Sequence, residues 1–130
     1  MLQPGLKGKQ EITVTDKDTA AVYGSGSLAV FGTPAMIALM EKTALTSIEP
    51  FLEEGQGSVG TKLDVAHTAA TPVGMKVWCE SELIEVDRKR LVFRVNAFDE
   101  AGAIGQGTHE RFIIDNVKFM EKASAKTASA

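Results

Sequence analysis

The chain has 130 residues, 44% of them apolar, with 14 Lys and Arg against 17 Asp and Glu for a net charge of −3. That length suits one domain, which at this size buries roughly two-thirds of its unfolded surface without covalent staples. The acidic balance argues against a nucleic-acid partner, whose binders carry a basic footprint. The single cysteine, Cys79, excludes an internal disulfide and a multi-cysteine zinc site. Residues 1–10 hold two Lys, two Gly and a Pro with no apolar run, and no stretch approaches the ~20 apolar residues of a membrane span. The expectation is a cytoplasmic domain that binds no membrane.

In chain order, residues 1–8 read as a loose lead-in. Glu11–Thr15 then alternates polar residues with β-formers, as a half-buried strand does. Ser27–Phe31 is a second short β-like run, preceded by Gly24-Ser25-Gly26. A helix over 34–49 follows, with Thr33 as its cap and Pro34 at the first helical position, where no needed donor is lost. Met36, Ile37, Met40, Ala44, Leu45 and Ile48 recur at three- and four-residue spacing, and Pro50, Gly55 and Gly57 end the helix. A helix this apolar requires a sheet around it.

After Gly57 the period becomes two. Val59, Leu63, Val65 and His67 share one face and Lys62 and Asp64 the other, which turns His67 inward. Thr71–Gly74 is a turn, and a long strand over 75–86 places Val77, Cys79 and Leu83 on one face. Asp87–Arg90 forms a charged hairpin, 91–98 a further strand, 99–102 a turn, and 103 to about 120 a last strand bent at Asp115-Asn116. Residues 122–130 are only Ala, Ser, Lys and Thr, and read as an unordered tail. The chain is thus a single domain over 1–121, of α+β class, in which antiparallel strands curl around one helix. Its remaining exposed face and strand edges point to a homodimer.

Five positions invite a chemical reading beside a plain structural one. Glu41 falls on the apolar stripe between Ile37 and Leu45, where a carboxylate loses hydration; at the stripe boundary it would simply reach solvent. His67 is either a hydrogen-bonded core residue or a general acid or base. Thr33 is explained by capping alone, but a helix start also offers N–H groups and positive potential to an oxyanion. His109 and Arg111 share a face within Gly105–Arg111, so Arg111 either meets a buried carboxylate such as Glu41 or sits in a surface ion pair on an edge strand. The two glycines there suggest a bulge or a close backbone approach. Cys79 reads as core filler, Arg88-Lys89-Arg90 as a solvated hairpin tip or a phosphate contact, and no metal-ligand spacing is present.

The strings Thr33-Pro34-Ala35-Met36, Gly57–Thr61, Val65–Pro72 and Gly107–Arg111, with Glu41 between the first two, resemble one family across about residues 10–120. It is the hot-dog-fold thioesterases related to the fluoroacetyl-coenzyme-A-specific enzyme. The resemblance implies a long helix wrapped by an antiparallel sheet, a dimer, and hydrolysis of an acyl-coenzyme A with no separate cofactor. It assigns the catalytic roles to Thr33, Glu41 and His67, and makes Gly60 and Arg111 substrate-site residues. The alternative within the same fold is a non-catalytic acyl-coenzyme A binder.

Overall fold

The computed structural model describes residues 2–128. Its elements are β1 (Lys7–Thr13), α1 (Ala20–Tyr23), α2 (Thr33–Ile48), β2 (Gln56–His67), β3 (Lys76–Asp87), β4 (Arg90–Asp99), β5 (Gly102–Asp115) and α3 (Asn116–Ala128). One-turn 3-10 helices precede α1 and follow α2. The five strands make one antiparallel sheet in the order β1-β3-β4-β5-β2, so β1 and β2 are its edges. Among the described residues no helix is long and apolar enough to cross a membrane.

The core lies between α2 and the sheet. Met36, Leu39, Met40, Ala44 and Ile48 are buried against Val77, Leu83, Leu91, Phe93, Val95 and Ile104. Each such large side chain contributes about 1.5–3 kcal/mol when fully removed from water. Thr43, also buried in this face, keeps its hydroxyl satisfied by donating to the Leu39 carbonyl at 2.7 Å. Ile37, Glu41 and Leu45 form a half-buried flank instead, so Glu41 stands at the boundary of the stripe.

Several local expectations are corrected. Gly32, not Thr33, is the N-cap of α2: its backbone is extended and its carbonyl accepts from Met36 N–H at 3.0 Å. The first strand lies at 7–13, and Ser27–Phe31 contributes only isolated bridges at Val30 and Phe31. A register shift between Gly60 and Lys62 reverses the alternation within β2. Gly60 therefore shares the inward face with Leu63, Val65 and His67, while Val59 pairs with the exposed Phe112 on the outer face. The last strand ends at Asp115, whose carboxylate accepts from Lys118 N–H at 3.0 Å and so opens α3. Residues 122–128, read from sequence as part of an unordered tail, continue that helix. Ala, Lys, Glu and Met favour helix locally even without a buried face.

β5 is internal rather than an edge, which excludes the edge-strand reading of Arg111. Its glycines serve close approach. A Cβ at Gly105 would lie 2.6 Å from Met36 Sδ, and one at Gly107 would collide with the Asp64 carbonyl.

Candidate active site

The structure brings the candidate residues together in two groups. The first is at the start of α2. Freed from capping, the Thr33 hydroxyl is hydrogen-bonded to His67 Nδ1 at 2.8 Å. His67 arrives there as the last residue of β2, with Phe31 edge-on to its ring at 6.4 Å. Its Nε2 is buried and has no hydrogen-bond partner among the described residues. Both side chains line an open cleft of about 300 Å³ walled by Ala20, Val30, Phe31 and Thr68. Burial holds the His67 pKa below its ordinary value, against a smaller opposing effect of the Ala69 backbone. The imidazole is therefore neutral at neutral pH.

The second group surrounds Glu41. Its Oε2 is 3.7 Å from Arg111 Nη1, and a Cβ built at Gly60 would collide with that same oxygen. Absence of a side chain at Gly60 is thus what admits the carboxylate to this place. The Glu41 side chain keeps 40% of its exposure and that of Arg111 only 6%, so the carboxylate faces outward from a buried cation. Arg111 Nε donates to Ser58 Oγ at 2.8 Å and Nη2 to the Ser58 carbonyl at 2.9 Å. Burial lowers the Arg111 pKa, with Glu41 and Glu49 opposing the shift. Ser58 falls within the Gly57–Thr61 string but has no chemical signal of its own in the sequence; its contact with Arg111 emerges where β2 runs beside β5 in the structure.

Within one chain the two groups do not touch. Eight residues of α2 separate Thr33 from Glu41, about 12 Å at 1.5 Å per residue. Thr33 bonds His67 rather than Glu41. Of the other candidates, Cys79 is fully buried, and its thiol is pushed up to about 11, chiefly by burial. At the charged hairpin, Arg90 pairs with Glu85 at 2.8 Å and Glu110 at 2.9 Å.

The family described as fluoroacetyl-CoA-specific thioesterase matches residues 14–117. A fluoroacetyl-CoA thioesterase from Streptantibioticus cattleyicolor is 47% identical over 98 residues, which are 75% of this chain and 70% of that protein. A solved structure of fluoroacetyl-CoA thioesterase superposes with a TM-score of 0.92 at 37% identity, covering 97% of this chain and 98% of the other. A second, a phenylalanine-to-alanine mutant of that enzyme in complex with fluoroacetate and CoA, gives 0.86 at 37% identity, covering 91% and 99%.

Proposed function

Because the chain belongs to the fluoroacetyl-CoA-specific thioesterase family, we propose that it hydrolyses a small acyl-coenzyme A to a free acid and coenzyme A through Thr33, Glu41 and His67. The fold is the hot-dog fold of its relatives. The observation that carries the reading is the Thr33–His67 pair, set in a cleft with Nε2 left unpartnered. With the Thr33 hydroxyl donating to Nδ1, the neutral ring carries its proton on Nε2, ready for the departing thiolate. Glu41 supplies the negative charge, either attacking the carbonyl to form an anhydride or taking a proton from the attacking water. In both routes the C–S bond breaks, water supplies one oxygen of the acid, and the sulfur leaves as a thiol. The cytoplasm is the proposed compartment, in keeping with a lone buried thiol.

The separation of the two groups supports a homodimer as the working unit. The half-buried flank of Ile37, Glu41 and Leu45 and the unpaired edge of β2 are both open in a single chain. A second copy covering them by two-fold symmetry would place one chain's Glu41 near the other's Thr33 and His67. The test is to co-refold equal amounts of Glu41→Gln and His67→Ala subunits. Half of the dimers are then mixed, each with one intact site, so about a quarter of wild-type turnover returns by this two-fold arithmetic. No recovery, with mixed dimers present, contradicts the shared site.

A further inference from the structure

We propose that His109 is a positioning residue: its Nε2 lone pair holds the Arg111 guanidinium in the orientation that keeps the Glu41 carboxylate over Gly60. The inference rests on the catalytic role proposed for Glu41 and extends it to a residue that touches no substrate.

His109 has no solvent exposure. Phe93 stacks on its ring with centroids 6.2 Å apart and planes at 28°, which fixes the ring plane from the β4 side. Its Nδ1 lies 2.9 Å from the Lys62 carbonyl and its Nε2 3.1 Å from Arg111 Nη1. A guanidinium has only donors. Nε2 must therefore accept, the ring must be neutral, and Nδ1 must carry the proton that it donates to Lys62. Lys62 is the residue immediately after the β2 irregularity, so the same irregularity that turns Gly60 inward also sets the acceptor for Nδ1. One tautomer alone satisfies both contacts.

The consequence falls on Arg111. Ser58 holds its Nε and Nη2, and His109 accepts from Nη1, the nitrogen that also faces Glu41. The contact between Nη1 and Glu41 Oε2, at 3.7 Å, is looser than a hydrogen bond, so Glu41 does not by itself lock the guanidinium. Glu41 is partly solvated and rotatable, whereas Arg111 and His109 are buried. Orientation thus passes from the fixed ring to the cation and then to the carboxylate.

Two substitutions separate this role from mere core filling. Gln at 109 can place an acceptor where Nε2 sits, whereas Asn can reach only the Nδ1 position. His109→Asn is expected to lower kcat at least about tenfold with KM within about twofold, and His109→Gln to stay within about threefold of wild type in both. The two should lose similar thermal stability. Equal activity of the two variants, or a loss that only follows their Tm, would overturn the proposal. Independently of activity, the ¹⁵N spectrum of the wild-type imidazole should report a protonated Nδ1 and a bare Nε2; an Nε2–H form would also overturn it. Glu41→Gln, assayed alongside, tells the two failures apart. If that variant keeps full turnover, the role of Glu41 is wrong and the proposal falls with it, whatever His109 does.

Discussion

Gly60→Ala is the sharpest perturbation of the Glu41 group, because it adds one methyl group where the carboxylate must lie. The new Cβ would collide with Glu41 Oε2, and would stand 3.1 Å from His109 Cε1 and 3.5 Å from Arg111 Nη1. His109 and Arg111 are buried and can give only by tenths of an ångström, but the Glu41 side chain is 40% exposed and can swing toward solvent. The fold therefore escapes most of the cost, and Ala restricts the unfolded chain more than Gly does, by ~0.4–1 kcal/mol. Stability is expected within about 1 kcal/mol of wild type, a Tm change of about 3–5 °C or less. Activity has no such escape. Displacing a reacting group by about 1 Å costs on the order of a hundredfold, or about 2.7 kcal/mol of barrier at 1.36 kcal/mol per tenfold. The assay is free-thiol release under saturating acyl-coenzyme A, read together with a thermal melt. Wild-type kcat with an unchanged melt would refute the placement of Glu41 against Gly60.

Thr33→Ser should retain the bond to His67 and keep kcat within about threefold, whereas Thr33→Ala loses at least about tenfold. Since Gly32 caps α2, circular dichroism should detect no loss of helix in Thr33→Ala; a large loss would restore the capping role. Phe93→Ala removes a fully buried ring stacked on His109 and should cost ~3–5 kcal/mol in urea unfolding, where less than about 1 kcal/mol would contradict the packing described. His109 is held below its ordinary pKa of 6.5, mostly by burial, with Arg111 adding to the shift and the Lys62 carbonyl, Glu41 and Glu110 opposing it. As pH falls below about 6.5 the unfolded chain takes up this proton first, so its share of stability declines until the lower folded-state pKa is reached. His109→Gln should flatten the Tm profile in that window; an identical slope in the variant would contradict the buried neutral ring.

The sequence revealed α2 and the four long strands β2 to β5 from their apolar periods, and the inward face of His67 from its alternation with Leu63 and Val65, but it counted Ser27–Phe31 as a sixth strand where only isolated bridges form. It did not reveal the phase change inside β2. A register shift near Thr61 leaves no mark in a run of Gly, Thr and Lys, so alternation alone puts Val59 on the wrong face, and the inward position of Gly60 emerges only from its pairing with Arg111. Thr33-Pro34 carries a valid capping pattern, but the cap falls one residue earlier, on Gly32, whose extended backbone donates its N–H to the Asp18 carbonyl at 2.8 Å and accepts from Met36 N–H at 3.0 Å. Gly32 also packs against α1, where a Cβ would lie 3.0 Å from Ala20 N, a contact between distant residues that no local pattern reports. Likewise Arg111 could be matched with Glu41 by chemistry alone, but the length of α2 between Thr33 and Glu41 acquires meaning only once His67 is seen at the Thr33 end. The helix after Asp115 was hidden by composition, since short Ala-, Ser- and Lys-rich segments lacking an apolar face are marginal in isolation.

The most direct measurement is free-thiol release from short, medium, halogenated and aryl acyl-coenzyme A esters by wild type, Glu41→Gln and His67→Ala. Turnover of at least one ester by wild type, with its near loss in both variants at unchanged melting temperature, is the expected result. Tight binding of the esters with no thiol released by wild type would contradict the thioesterase reading and leave a module that binds acyl-coenzyme A without cleaving it.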